Sequence, residues 1–173
     1  MGYNKEQYLT SLDEWMKYYG YTQYSPPAEL NADRMFWKRS FNASKFGNVD
    51  TYCFAKYVKE NADGALLQSF SMQTFDYSYK IRQGGPLGLG NMLVVFPLLI
   101  TEKISTELYA FLKNYCPKHF AAAEFPSTLD LASGSLYHYE LTPVWGAFYY
   151  DGYRRDSYNL FSPQSWKNVS DKS

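Results

Sequence analysis

Apolar residues along this chain recur with two different periods. Tyr8, Leu12, Trp15, Met16 and Tyr19 fall on one stripe of a helix running from Asn4 to Tyr19, while Lys5, Glu6, Asp13 and Lys17 lie off that stripe. Asn4 with Gln7 three residues later has the pattern of a capping box, and Gly20 supplies a stop. The stretch from Tyr21 to Asp33 carries Pro26 and Pro27 and no periodicity, so it reads as a surface linker. Arg34–Ser40 and Val49–Lys59 are rich in aromatic and β-branched residues and are separated by Asn42, Ser44, Gly47 and Asn48, which favour a turn. They predict a β-hairpin whose second arm is covered on both faces.

Asn61–Arg82 holds two patterns. Leu66, Leu67 and Phe70 suit a helix opening at Asp63, whereas Phe75, Tyr77, Tyr79 and Ile81 alternate like a strand; helix is expected for the first half. Four glycines and a proline between Gly84 and Gly90 require a loop. Met92–Thr101 is short and continuously apolar, as a strand buried on both faces would be. Ser105 then caps a helix with Leu108, Phe111, Leu112 and Tyr115 on one stripe, and Pro117 ends it. With Phe120–Asp130 as the next strand, this stretch predicts one βαβ unit.

Ala132-Ser133-Gly134 is expected to form a three-residue hairpin loop with Gly134 left-handed. That register places Thr128 opposite His138. It sends Phe125, Leu129, Tyr137, Tyr139 and Leu141 to one face, and Glu124, Thr128, Asp130, His138 and Glu140 to the other. Pro126 suggests an edge or a bulge. From Pro143 onward Trp145, Phe148, Tyr149 and Tyr153 suggest a ring-rich helix loosened at Gly152. The sum is one α+β domain over residues 1–162, with a mixed sheet of two hairpins and one βαβ crossover flanked by about three helices. Residues 163–173 are expected to form a fraying tail.

Composition narrows the function classes. With 17 basic and 17 acidic residues among 173, the chain has no net charge and no long-range field to collect nucleic acid or anionic membrane. The longest apolar run, Met92–Ile100, is too short to span a bilayer. The N-terminus lacks a secretory pattern, and the two cysteines, Cys53 and Cys116, fit a reducing interior, so a cytoplasmic address is expected. Aromatic residues make up 20% of the chain, an excess that serves a core and interfaces alike.

Three segments could carry chemistry. Glu124, Asp130, His138 and Glu140, with His119 arriving nearby, combine carboxylates and imidazole, the set needed for acid and base roles; Glu124, Asp130 and His138 could ligate a divalent metal. Arg34, Trp37, Lys38, Arg39 and Lys45 interleave bases with rings, as single-strand nucleic-acid binders do. The glycine loop leads into a strand rather than a helix and lacks Gly-Lys-Ser/Thr, so it is not a phosphate fingerprint. The favoured function is a non-catalytic binding or interaction module with an aromatic-rich surface, working on a protein partner or as a homodimer. The alternatives are a metal-dependent hydrolase or nuclease using the hairpin carboxylates and His138, and a nucleic-acid binder acting through residues 34–59.

Overall fold

The capping box at Asn4 forms, with its side chain accepting from the Gln7 amide at 2.8 Å and the Gln7 side chain accepting from the Asn4 amide at 3.3 Å. It starts α1 (Lys5–Tyr18), which buries Tyr8, Leu9, Leu12 and Met16. The computed structural model describes residues 2–43, 47–142 and 147–171. The expected linker holds a short edge strand, β1 (Thr22–Tyr24), and a single 3-10 turn at Ala28–Leu30. The hairpin β2 (Arg34–Asn42) and β3 (Gly47–Val58) is antiparallel. Helix α2 (Gly64–Ile81) opens at an Asp63 cap and runs through the segment that alternates like a strand. Its second half stays helical because Phe75 and Ser78 face the core while Tyr79 and Ile81 remain exposed.

β4 (Asn91–Thr101) is the central strand and pairs in parallel with β3. After α3 (Thr106–Asn114) come a small edge strand, β5 (Lys118–His119), and then β6 (Ala122–Glu124) and β7 (Ser127–Asp130). The expected single strand Phe120–Asp130 is thus broken around Pro126 into β6 and β7, each parallel to its own part of β4. β3–α2–β4 and β4–α3–β6/β7 make two βαβ units where the sequence suggested one. β8 (Ser135–His138), α4 (Ala147–Phe161) and α5 (Pro163–Ser170) complete the described chain. Among the described residues five α-helices and an eight-stranded mixed sheet form one compact α+β domain, larger in its sheet than expected.

Alternation along β3 and β4 sends Val49, Cys53, Val94, Phe96, Leu98 and Ile100 to one face, where α1, α4 and α5 supply Tyr8, Leu12, Tyr153, Phe161 and Trp166. Tyr52, Phe54, Leu93, Val95 and Leu99 face the other way, against Leu67 and Phe70 of α2 and Leu108 and Leu112 of α3. The expected fraying tail is instead α5. Trp166 is buried and stacks on Tyr8 and Trp15, and that burial holds the helix. The expected ring-rich helix forms as α4 and continues through Gly152; Pro143 and Trp145 lie outside the described residues.

The largest correction concerns the last hairpin. Asp130 pairs with Ser135, Thr128 with Tyr137 and Ser127 with His138, so the loop is four residues, Leu131–Gly134. Gly134 is left-handed as expected, with φ 71°. Leu131 leaves the ladder because it gains more elsewhere: its side chain is fully buried and its amide donates to the Thr101 carbonyl at 2.9 Å. A one-residue shift exchanges faces. His138 shares a face with Ser127 and Leu129 and sits beside Phe125, with ring centroids 5.7 Å apart, while Thr128 and Asp130 share the other with Tyr137.

Candidate functional site

The tight β5–β6 hairpin turns through Phe120 and Ala121, with His119 paired to Ala122. Ala121 holds φ 50°, a position more often given to Gly or Asn. Because Glu124 lies two residues beyond Ala122, His119 and Glu124 emerge on the same face, toward α2. His119 Nε2 is 2.7 Å from Glu124 Oε2, and Ser71 of α2 donates its hydroxyl to the other carboxylate oxygen. The Glu124 side chain is 1% exposed and the His119 side chain 28%. Phe75 lies flat on the imidazole, with centroids 3.8 Å apart. The order is serine, carboxylate, imidazole. A hydrolytic triad needs the imidazole between the hydroxyl and the acid, so Ser71 cannot hand its proton to His119.

Behind this hairpin opens a cleft of about 360 Å³ between β5–β6 and α4. Its lining includes Met92, Cys116, Lys118, Ala123, Phe125, Tyr149, Tyr150 and Tyr153, and it reaches His119 and Glu124. Cys116 donates to the Glu124 carbonyl at 3.6 Å. Burial, more than any neighbour, pushes the Cys116 thiol up to about 12 and the Tyr150 phenol up to about 12. The Tyr153 phenol is raised as well, again chiefly by burial. At neutral pH the walls therefore carry an un-ionised thiol and un-ionised phenols. A thiol becomes a nucleophile or a metal ligand only as thiolate, and this one is kept from that form.

Of the predicted acid–base and metal set, the structure does not assemble Glu124, Asp130, His138 and Glu140. Asp130 caps its own loop, accepting from the Ser133 amide at 2.9 Å and the Ile104 amide at 3.1 Å. His138 lies on the opposite face, its Nδ1 bonded to the Tyr139 carbonyl, and burial lowers its pKa. Glu140 is exposed beside α3, where it meets Tyr109 at 3.1 Å and Lys113 at 3.5 Å. Among the described residues no group of three or more His, Cys, Asp or Glu side chains could hold a metal ion. The physical reason is the four-residue loop, which reverses the parity on which that cluster depended.

The basic segment is divided between faces. Arg34 grips Asp13 of α1 at 2.8 and 3.0 Å, and Lys38 donates to the Tyr19 carbonyl at 2.7 Å. On the other face Trp37 donates to Asp50 at 3.2 Å and Arg39 pairs with Asp50 at 2.9 Å. Lys45 lies outside the described residues. Sequence reasoning passed over Ser71 and the tyrosines of α4. Packing across the sheet brings Ser71 to the Glu124 carboxylate on one face and the α4 tyrosines to the cleft on the other, and those tyrosines carried only the signal of helical ring spacing. No helix among the described residues is long and apolar enough to cross a membrane. Comparison with protein-family models, with curated proteins and with solved structures returns no match in any of the three.

Proposed function

We propose that this protein is a non-catalytic binding module that takes a ligand with an apolar body into the cleft between β5–β6 and α4. The observation that supports it is the cleft itself: about 360 Å³, inside the range of small-molecule sites, walled by Tyr149, Tyr150, Tyr153, Met92 and Phe125. The groups that could have made it reactive are engaged or neutral. Glu124 is held by Ser71 and His119, and the Cys116 thiol stays protonated. What remains is apolar contact with phenol hydroxyls and the Lys118 ammonium for orientation. The test is a titration with small aromatic alcohols and carboxamides followed by amide NMR. Shifts are expected at Met92, Ala123 and Tyr150, and Tyr150→Ala is expected to weaken them severalfold. Shifts confined to other surfaces, or indifferent to Tyr150→Ala, would overturn the reading.

A protein partner, or a second copy of this chain, is the second reading. Phe120 is 84% exposed and Leu89 75%, and the two sit at one end of the molecule, since Gly88 packs against the Phe120 ring. Large apolar side chains left open at one end of a molecule are a mark of interaction surfaces. Sedimentation of the wild type against a Phe120→Ser, Leu89→Ser variant tests self-association, with the variant expected to lower it; a monomer at high concentration in both removes the second-copy form.

A further inference from the structure

A second cavity, of about 250 Å³, lies between the β1–β2–β3 end of the sheet and α2, away from the cleft of the proposed function. Strand pairing builds its floor. Tyr24 pairs with Met35 and Trp37 pairs with Tyr52, so these four side chains come up on one face of three neighbouring strands. Tyr77 and Ile81 of α2 form the roof, and Ser25 and Gln83 supply polar groups at the margin. The Tyr24 and Trp37 rings stand at 70° to each other with centroids 6.4 Å apart, which makes them adjacent walls. Among the described residues no Lys, Arg, Asp or Glu side chain lines the cavity.

A buried ion pair, Asp50 with Arg39, lies behind the Trp37 wall. Asp50, 2% exposed, accepts from the Trp37 indole N–H at 3.2 Å, from Arg39 Nη1 at 2.9 Å and from the Gln83 amide at 3.0 Å. A carboxylate accepting from an indole N–H leaves the indole ring more electron-rich. Aromatic ring faces attract cations, tryptophan most strongly, and the attraction grows when the cation is desolvated. Four rings, with no ammonium or guanidinium among the described residues that line the cavity, make a box for a cation that needs no hydrogen bonds. From this geometry we propose that the cavity formed by Tyr24, Trp37, Tyr52 and Tyr77 binds the methylated ammonium head group of a small diffusible molecule. Ser25 and Gln83 meet the polar end of such a ligand's short tail.

The probe is choline, titrated calorimetrically and by the NMR signal of the Trp37 indole N–H, against its neutral isostere 3,3-dimethylbutan-1-ol. Choline is expected to bind at least tenfold more tightly than the isostere. Tyr24→Leu, on an exposed edge strand where folding is least at risk, is expected to weaken choline about threefold or more. Trp37→Phe, which keeps a ring but loses the bond to Asp50, is expected to weaken it too, and Tyr150→Ala in the other cleft to leave it unchanged. Equal binding of the neutral isostere overturns the proposal, as does choline affinity indifferent to both Tyr24→Leu and Trp37→Phe. Retention on phosphatidylcholine vesicles without any response to free choline overturns the small-molecule form.

Discussion

Two segments lie side by side against β4, and each brings one carboxylate and one imidazole to an antiparallel hairpin. In β5–β6 the pair meets: His119 and Glu124 are 2.7 Å apart, and the carboxylate is sealed under α2. In β7–β8 the pair separates: Asp130 faces α3 and caps a loop while His138 packs against Phe125. The difference is parity. His119 pairs with a residue two positions from Glu124, an even step that returns to the same face. His138 pairs with Ser127, three positions from Asp130, an odd step that crosses the sheet. Composition is the same in both; loop length decides whether the groups become a unit.

The strongest way to break this comparison is to remove the sealed carboxylate. Glu124→Ala leaves the Ser71 hydroxyl and the His119 ring without their shared partner and opens a void, and it is expected to cost about 3 kcal/mol in urea unfolding. Glu124→Gln, which keeps the shape and can still bond both neighbours, should cost about 1 kcal/mol. Equal losses in the two variants would show that volume, not the bonds, matters here. Asp130→Ala ranks next, at about 1–2 kcal/mol, because it releases the two amides that Asp130 caps while other bonds of the loop persist. Combined with His138→Gln it should be additive within about 0.5 kcal/mol, whereas Glu124→Ala combined with His119→Ala should not. Coupling between Asp130 and His138 would contradict the reading of their faces.

Most of the architecture was legible because it rests on local signals that packing did not override. The Asn4 box, the Asp63 and Ser105 caps, the buried run of β4 and the left-handed Gly134 all formed where the sequence placed them. What escaped was settled between distant segments. Leu131 reads as a strand residue, yet its place in the core beneath the sheet lengthens the loop and reverses a face. Trp166 stands nearly alone in a polar tail, yet its stacking on Tyr8 and Trp15 converts that tail into a helix. The His119–Glu124 contact depended on a two-residue turn built without Gly or Asn, so no turn signal announced it.

The smallest expected effect sharpens the comparison through pH. Burial, ahead of any neighbour, lowers the His138 pKa below 6.5, opposed by its bond to the Tyr139 carbonyl; of the charged groups nearby, Arg154 lowers it further and Glu140 raises it. In the unfolded chain the same imidazole titrates near 6.5. As pH falls below that value the unfolded chain takes up a proton that the folded chain refuses, so stability declines until the lower folded pKa is reached. Above about pH 7 both states are neutral and the group contributes no slope. His138→Gln should therefore unfold with a shallower loss of stability between about pH 6.5 and 5 than the wild type, and with no change of slope between about pH 7 and 8. Parallel curves across the acid range would mean that His138 is freely solvated, and the face assigned to it by the four-residue loop would be wrong.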